Sequence, residues 1–318
     1  MESGIYTMSH AEYHDDPCDV PSLSCSIAKI LLNQTPAHAR LAHPRLNPDY
    51  EGGEEASRLD IGTACHALLL EGIDSVAVCD FPDWRTKASQ EARDVARLEG
   101  KIPLLAKQYA TVQRMAESAS LALAGCWDIH EATWSTGKAE QTIIWDEGDT
   151  VCRARPDWLA NDHGLIIDYK TTELPSPKAW MRAMVGLGYD VQDEFYRRSV
   201  KSLTGVEPEF VFMVQSTSAP YLCFFVSLSA TRREIARIKV DKALAIWRTC
   251  MKADKWPGWP SGIMEAEATA WELADAEEMS AELAIWNKDD AGARAAFLFG
   301  SVRDDKKGKS GTLEDFDK

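Results

Sequence analysis

Basic side chains are scarce in this 318-residue sequence: 35 Lys and Arg face 50 Asp and Glu, a formal charge of −15. That shortage argues against a protein that coats nucleic acid non-specifically, but a net charge is a sum and leaves room for a local basic channel. Much of the imbalance is concentrated. Residues 263–299 hold nine carboxylates and two cations, so this stretch carries seven of the 15 excess negative charges. Any Cys-x-x-Cys pair is also missing. The 8 cysteines are scattered singly, which argues against a zinc ribbon and fits small apolar fillers in a reducing compartment. No run of about 18 uncharged apolar residues occurs, so no membrane span is expected. The opening MESGIYTMSHAEYHDD has neither the basic nor the apolar region of a secretory signal. A cytoplasmic location is expected.

What remains is ordinary globular material, with 45% apolar and 27% charged residues and length for one large domain or two smaller ones. Apolar spacing predicts helices over 22–32, 57–71, 103–124, 176–185, 190–203 and 231–252, the last with Ile235, Ile238, Ala243, Ile246 and Trp247 toward the core. Residues 38–53 read as a loop. Strands are expected at 74–81, in three pieces across 140–170, and as a hairpin over 209–215 and 221–228. Pro257 and Pro260 mark a boundary. The division expected is a catalytic-sized domain over 1–260, an acidic helical extension over 261–300 and a disordered tail over 301–318. The order of elements is α/β, a central mixed sheet flanked by helices.

Chemistry concentrates between Glu140 and Lys170. Three short strands are expected here, the first opening at Glu140, with turns at 146–149 and 161–164. Asp168 and Lys170 are two apart, so on a strand they leave the same face. Asp157 falls near the start of the second turn, where a hairpin that twists or splays could bring it to Asp168. Two carboxylates beside an ammonium suit a hard divalent cation, which needs only one or two carboxylates plus substrate phosphate. By itself Asp-x-Lys describes any solvated strand edge. Here the apolar run Leu165–Ile167 leads into it, and Arg153 and Arg155 bring positive charge alongside. On the next helix Gln192 and Tyr196 share a face, as do Arg197 and Lys201. That face could hold a phosphate backbone, or be half-buried with its arginines solvated. His66, in ACHALLLE, is either a core histidine or a ligand, depending on where its helix packs.

Five segments in this order, GTACHALLLEG (62–72), AEQTIIW (139–145), CRARPDW (152–158), IIDYKTT (166–172) and QDEFYRR (192–198), resemble the motifs of PD-(D/E)XK nucleases. The likeness is to the RecB-like branch and, within it, to RecE-type phage and prophage exonucleases. GIYTMSHAEYHDD (4–16), FVFMVQST (210–217) and DKWPGW (254–259) extend it over roughly residues 4–260.

The resemblance implies a restriction-endonuclease-like core in which Asp157 and Asp168 bind a catalytic divalent ion, Mg²⁺ with Mn²⁺ as a substitute. His66 and Tyr169 complete the candidate metal set. Lys170 assists the attacking water, Glu140 is a further acidic member, and Gln192 and Tyr196 form the Gln-x-x-x-Tyr pair that, with Arg153, Arg155 and Arg197, faces DNA. The activity implied is an exonuclease that degrades one strand of linear duplex DNA from its 5′ end. The implied partners are a RecT-like single-strand annealing protein and further copies of the chain in a ring, such as a tetramer. Two alternatives stand beside it: a RecB-like endonuclease or single-strand nuclease, and a non-catalytic module that binds DNA ends or a partner.

Overall fold

The computed structural model describes residues 1–50, 61–129, 134–174 and 176–286. The expected start of the second helix, at 57–60, and the expected tail, at 301–318, lie outside them. In chain order the elements begin β1 (Gly4–Tyr6), α1 (His10–His14), β2 (Leu23–Ser24), α2 (Cys25–Asn33), α3 (Pro36–Ala42), α4 (Ile61–Leu70) and β3 (Val76–Cys79). Next come α5 (Lys87–Leu98), β4 (Ile102–Leu105), α6 (Ala106–Ala124), β5 (Gly137–Ala139), β6 (Thr142–Glu147), β7 (Thr150–Ala154), β8 (Trp158–Ala160) and β9 (Leu165–Thr172). The remainder is α7 (Pro177–Ala183), α8 (Tyr189–Thr204), β10 (Glu209–Ser216), β11 (Cys223–Val226), α9 (Ala230–Ala253) and α10 (Ala270–Trp286).

The strands form a five-stranded sheet ordered β11-β10-β9-β8-β5, a four-stranded sheet ordered β1-β6-β7-β2, and the pair β3-β4. β9 is the centre of the larger sheet. It runs parallel to β10, with α7 and α8 between them in sequence, and antiparallel to β8. Its alternation divides the protein. Ile166 belongs to one core, with Phe195, Phe210, Phe212 and Trp180, under α2, α8 and α9. Ile167 and Tyr169 belong to the other, with Met115, Val112 and Cys65, under α4 and α6. The sheet is thus a mixed one, covered by helices on both faces.

Four expectations change. The three-stranded run over 140–170 is four strands in two sheets, β6 and β7 in one and β8 and β9 in the other. The tight turns are where expected, but Pro156 has no N–H for a ladder, and the chain passes between sheets there, β7 in the smaller and β8 in the larger. Glu140 is accordingly not on a strand. Residues 38–42 of the expected loop belong to the helix α3, because Thr35 caps it through the His38 N–H and Pro36 occupies the first turn, where a proline starts a helix as readily as it ends one. The helix expected from Pro103 begins at Ala106, since Ile102–Leu105 pairs with β3. In α9 the buried stripe is Ala236, Val240, Ala243, Leu244, Trp247 and Cys250, while Ile235 and Ile238 are exposed. The small Ala236 and Ala243 permit the close approach of the neighbouring helices α2 and α8, which outweighs burying the larger isoleucines.

The chain separates into a unit Met1–Trp259 and a unit Pro260–Lys318. In the second, α10 opens with a capping box: the Thr269 hydroxyl accepts from the Glu272 N–H at 3.2 Å, and Glu272 accepts from the Thr269 N–H at 2.7 Å. No described helix is long and apolar enough to cross a membrane. All 8 cysteines are free.

Candidate active site

The register of β8 on β9, Trp158 opposite Ile167 and Leu159 opposite Ile166, carries one step further to set Asp157 across from Asp168. No splayed hairpin is required; the ordinary antiparallel ladder does it. Asp157 Oδ2 accepts from the Tyr169 N–H at 2.8 Å, so the first carboxylate is tied to the strand carrying the second. The ammonium of Lys170 pairs with Asp168 Oδ1. Gln192 Nε2 donates to Asp168 Oδ2 at 2.6 Å. Gln192 and Tyr196, one turn apart on α8, both line the same cleft.

The opposite wall comes from α4 and from the connection between β5 and β6. His66 Nε2 is 3.3 Å from Asp157 Oδ2 and 3.5 Å from Glu140 Oε1. Glu140 has φ 53°, in the left-handed region that a non-glycine residue occupies at some energetic cost. Its N–H donates to the Asp157 carbonyl at 3.0 Å, and Arg155 donates to its carboxylate. Backbone strain here turns an acid toward the imidazole. Glu71, in the turn after α4, joins them: single ligand atoms of His66, Glu71 and Glu140 all lie within 4.8 Å of one another. Sequence reasoning missed Glu71. The available signal was its place just before Gly72, whose φ of 92° ends the helix and folds the chain back.

The carboxylates are forced apart electrostatically. Burial, then the neighbouring Asp157, pushes the Asp168 carboxyl up to about 6. Burial raises Asp157 as well, but Lys170, His66 and the Tyr169 N–H outweigh it and hold Asp157 below the usual carboxylate range. Glu140 is raised, chiefly by burial. Burial pushes the Lys170 ammonium down, yet Asp168 and Asp157 more than reverse this. His66 shows the same contest: burial lowers it, and Asp157 and Glu140 raise it above the ordinary imidazole value.

Not every expected residue arrives. Tyr169 points its phenol into the other core, bonded to Cys65 Sγ and Gln215 Oε1. The period of two that brings Asp168 and Lys170 to one side turns the side chain between them to the other, so the phenol is no ligand. Arg153 does not reach the cleft. Its buried guanidinium bonds the Ser22 carbonyl at 2.9 Å and pairs with Asp16 at 3.0 Å, and it cannot meet DNA. Arg197 is likewise committed, to Glu194, Glu207 and the Pro208 carbonyl. Asp193, on the same side of α8, has no hydrogen-bond partner and is pushed up to about 7, mainly by burial. Arg155 lines the cleft but spends its donors on Glu140 and on the Met8 and Ser9 carbonyls. One cation went unremarked in the sequence: Lys29 on α2, which donates to Gln192 Oε1 at 3.3 Å.

His66, Glu71, Glu140, Asp157, Lys170 and Gln192 line a cleft of about 1140 Å³, larger than the roughly 300–1,000 Å³ of an ordinary small-molecule pocket. Asp168 is buried just behind it. The donor set fits a hard divalent cation. It holds carboxylates from Asp157, Asp168 and Glu140 with one imidazole, and the fully buried Asp168 Oδ1 is met by the Lys170 ammonium.

A family model described as a PDDEXK-like domain of unknown function (DUF3799) matches residues 24–268. The sequence has no significant match among curated proteins. A crystal structure from Eubacterium rectale, of a protein provisionally described as an exonuclease, shares the fold. Its TM-score is 0.50 at 10% identity, over 84% of this chain and 98% of that one.

Proposed function

Because the chain belongs to the PDDEXK-like family DUF3799, we propose that the cleft is the active site of a divalent-metal-dependent nuclease that digests linear duplex DNA. The observation that carries the reading is the pairing of Asp157 with Asp168 across β8 and β9, with Lys170 on the same face as Asp168. A bound Mg²⁺ or Mn²⁺ supplies a water of lowered pKa and screens charge on the phosphate. Asp157, Asp168, His66 and Glu140 would hold it. Lys170, kept protonated by the two aspartates, is placed to orient the attacking water and to stabilise charge building on the phosphorus oxygens. Gln192 holds Asp168 from the far side, and Arg155 holds Glu140, so each acid has a fixed direction.

The finer reading rests on the motif resemblance: attack from the 5′ end of one strand, leaving 3′ single strands for annealing-type recombination. A RecT-like annealing protein is the expected partner, and a ring of copies would thread the DNA. The name of the Eubacterium rectale neighbour agrees with an exonuclease. The test is digestion of plasmid DNA, linear or covalently closed, with each strand labelled in turn at its 5′ end. Linear DNA is expected to lose the 5′ label first while closed circles stay intact. Cutting of closed circles would instead indicate an endonuclease, preference for a labelled single strand a single-strand nuclease, and retention of DNA without cutting a binding module.

A further inference from the structure

The cleft contains a second ammonium that the nuclease reading does not use. Lys29 rises from α2, whose buried stripe of Cys25, Ile27, Ala28 and Leu31 anchors it in the core. Its alkyl stem lies against Gly188, the residue just before α8. A Cβ at Gly188 would meet the Lys29 Cγ and Cδ at 3.1 Å, and the backbone there has φ 66°. The positive φ favours glycine at that position, and the lysine stem packs closely on it. Beyond the stem, the ammonium sits 5.4 Å from the centre of the Tyr189 ring, and Lys170 approaches the same ring at 5.5 Å. Tyr189 is itself stacked on buried Trp180 at 5.6 Å. The two cations thus share one fixed aromatic ring.

We propose that Lys29 is a positioning residue that sets the carboxamide of Gln192, so that its N–H₂ and not its oxygen faces Asp168. The proposal rests on the nuclease reading for its kinetic consequence alone. An amide side chain has two orientations of nearly equal shape, and only its partners choose between them. Here both partners are unambiguous. Lys29 can only donate, so it takes Gln192 Oε1 at 3.3 Å; an ionised Asp168 can only accept, so it takes Nε2 at 2.6 Å. The flipped amide would set N–H₂ against the ammonium and oxygen against the carboxylate. Remove the ammonium and Gln192 Oε1 loses its Lys29 donor, so the choice is left to Asp168 alone. Lys29 acts on Asp168 through Gln192 and needs no contact with substrate.

Lys29→Met tests this, since methionine keeps a stem on Gly188 and removes every donor. The first readout needs no activity. In metal-free protein labelled with ¹⁵N-glutamine, the Gln192 side-chain amide signal is assigned by its loss in Gln192→Ala. The wild-type amide is expected to exchange at least about tenfold more slowly than an exposed glutamine, and Lys29→Met to abolish most of that protection. The second readout is digestion of linear duplex with Mg²⁺. There kcat is expected to fall roughly 10- to 100-fold with KM within about threefold, the pattern of lost positioning and not of lost binding. An unchanged Gln192 signal in Lys29→Met overturns the proposal. So does a raised KM with kcat retained, which would make Lys29 a DNA contact. If the wild type digests no DNA, the nuclease reading fails, and the amide signal still decides the role of Lys29.

Discussion

Asp168→Asn and Lys170→Met are expected to lose DNA cleavage together while moving the stability of the metal-free protein in opposite directions. Each removes a group fixed in advance around the reacting phosphate, a loss worth at least about 10²- to 10³-fold in rate. Stability behaves otherwise. The Asp168 carboxyl is held up to about 6 by burial and by Asp157, against an ordinary 3.8. Its stabilising contribution is present below 3.8 and is lost as pH rises through 6, so at pH 7.5 the ionised group opposes folding. At about 1.4 kcal/mol per pH unit, Asp168→Asn should stabilise the metal-free protein by on the order of 1–3 kcal/mol at pH 7.5 and by little at pH 4. Lys170 is the reverse case. Its ammonium is held above the lysine range against the pull of burial, so its contribution is fully present at pH 7.5. Lys170→Met leaves the buried Asp168 carboxylate facing the partly buried Asp157 and should cost about 2–3 kcal/mol, below the 3–5 of a fully buried pair because the lysine is 20% exposed. Thermal melts at pH 7.5 and pH 4, beside digestion rates, decide the matter. Destabilisation by Asp168→Asn at pH 7.5 would mean that the carboxylate supports the fold and is not held there for chemistry.

Gly137→Ala should be among the most damaging small changes in the chain. Gly137 lies on β5, opposite Ala160 of β8. A Cβ there would stand 2.5 Å from the Leu159 carbonyl oxygen and would overlap the indole of Trp158. Trp158 is buried, and it follows Asp157 directly. The ring has nowhere to go without shifting the strand that aims the carboxylate. A loss of about 3 kcal/mol or more is expected, the upper end for overpacking, against the roughly 5–15 kcal/mol that holds a typical domain folded. Urea melts would measure it. The double variant Gly137→Ala, Trp158→Leu should be clearly less destabilised than the sum of the two single changes, because the second removes what the first collides with. Strict additivity would show that the indole is not the obstacle.

Local patterns carried the strand that bears Asp168 and Lys170. The apolar run into Asp168-Tyr169-Lys170 and the period of two are enough to place two charges on one face and the tyrosine phenol on the other. The fate of a charge was legible only where its partner was near. Arg153 and Arg155 look alike in sequence, two residues apart beside a candidate acid. One is buried against Asp16, and the other holds Glu140 at the cleft. What separates them is a contact to a residue more than a hundred positions away, which no spacing reports. The passage between sheets at Pro156 was hidden for the same reason: a proline shows that a ladder is interrupted but not which strand is joined next. Lys29 and Glu71 sit in segments whose visible signal is helical burial or a helix end, and they acquire meaning only once α2 and α4 pack around β9.

The central claim is that Asp157 and Asp168 form a centre that cuts DNA with a divalent metal. It is tested most directly by nucleotide release from linear duplex DNA, using protein stripped of metal and then given Mg²⁺. The stripped protein is expected to release nothing, added Mg²⁺ to start release, and excess EDTA to stop it. Equal release with and without metal would contradict the account.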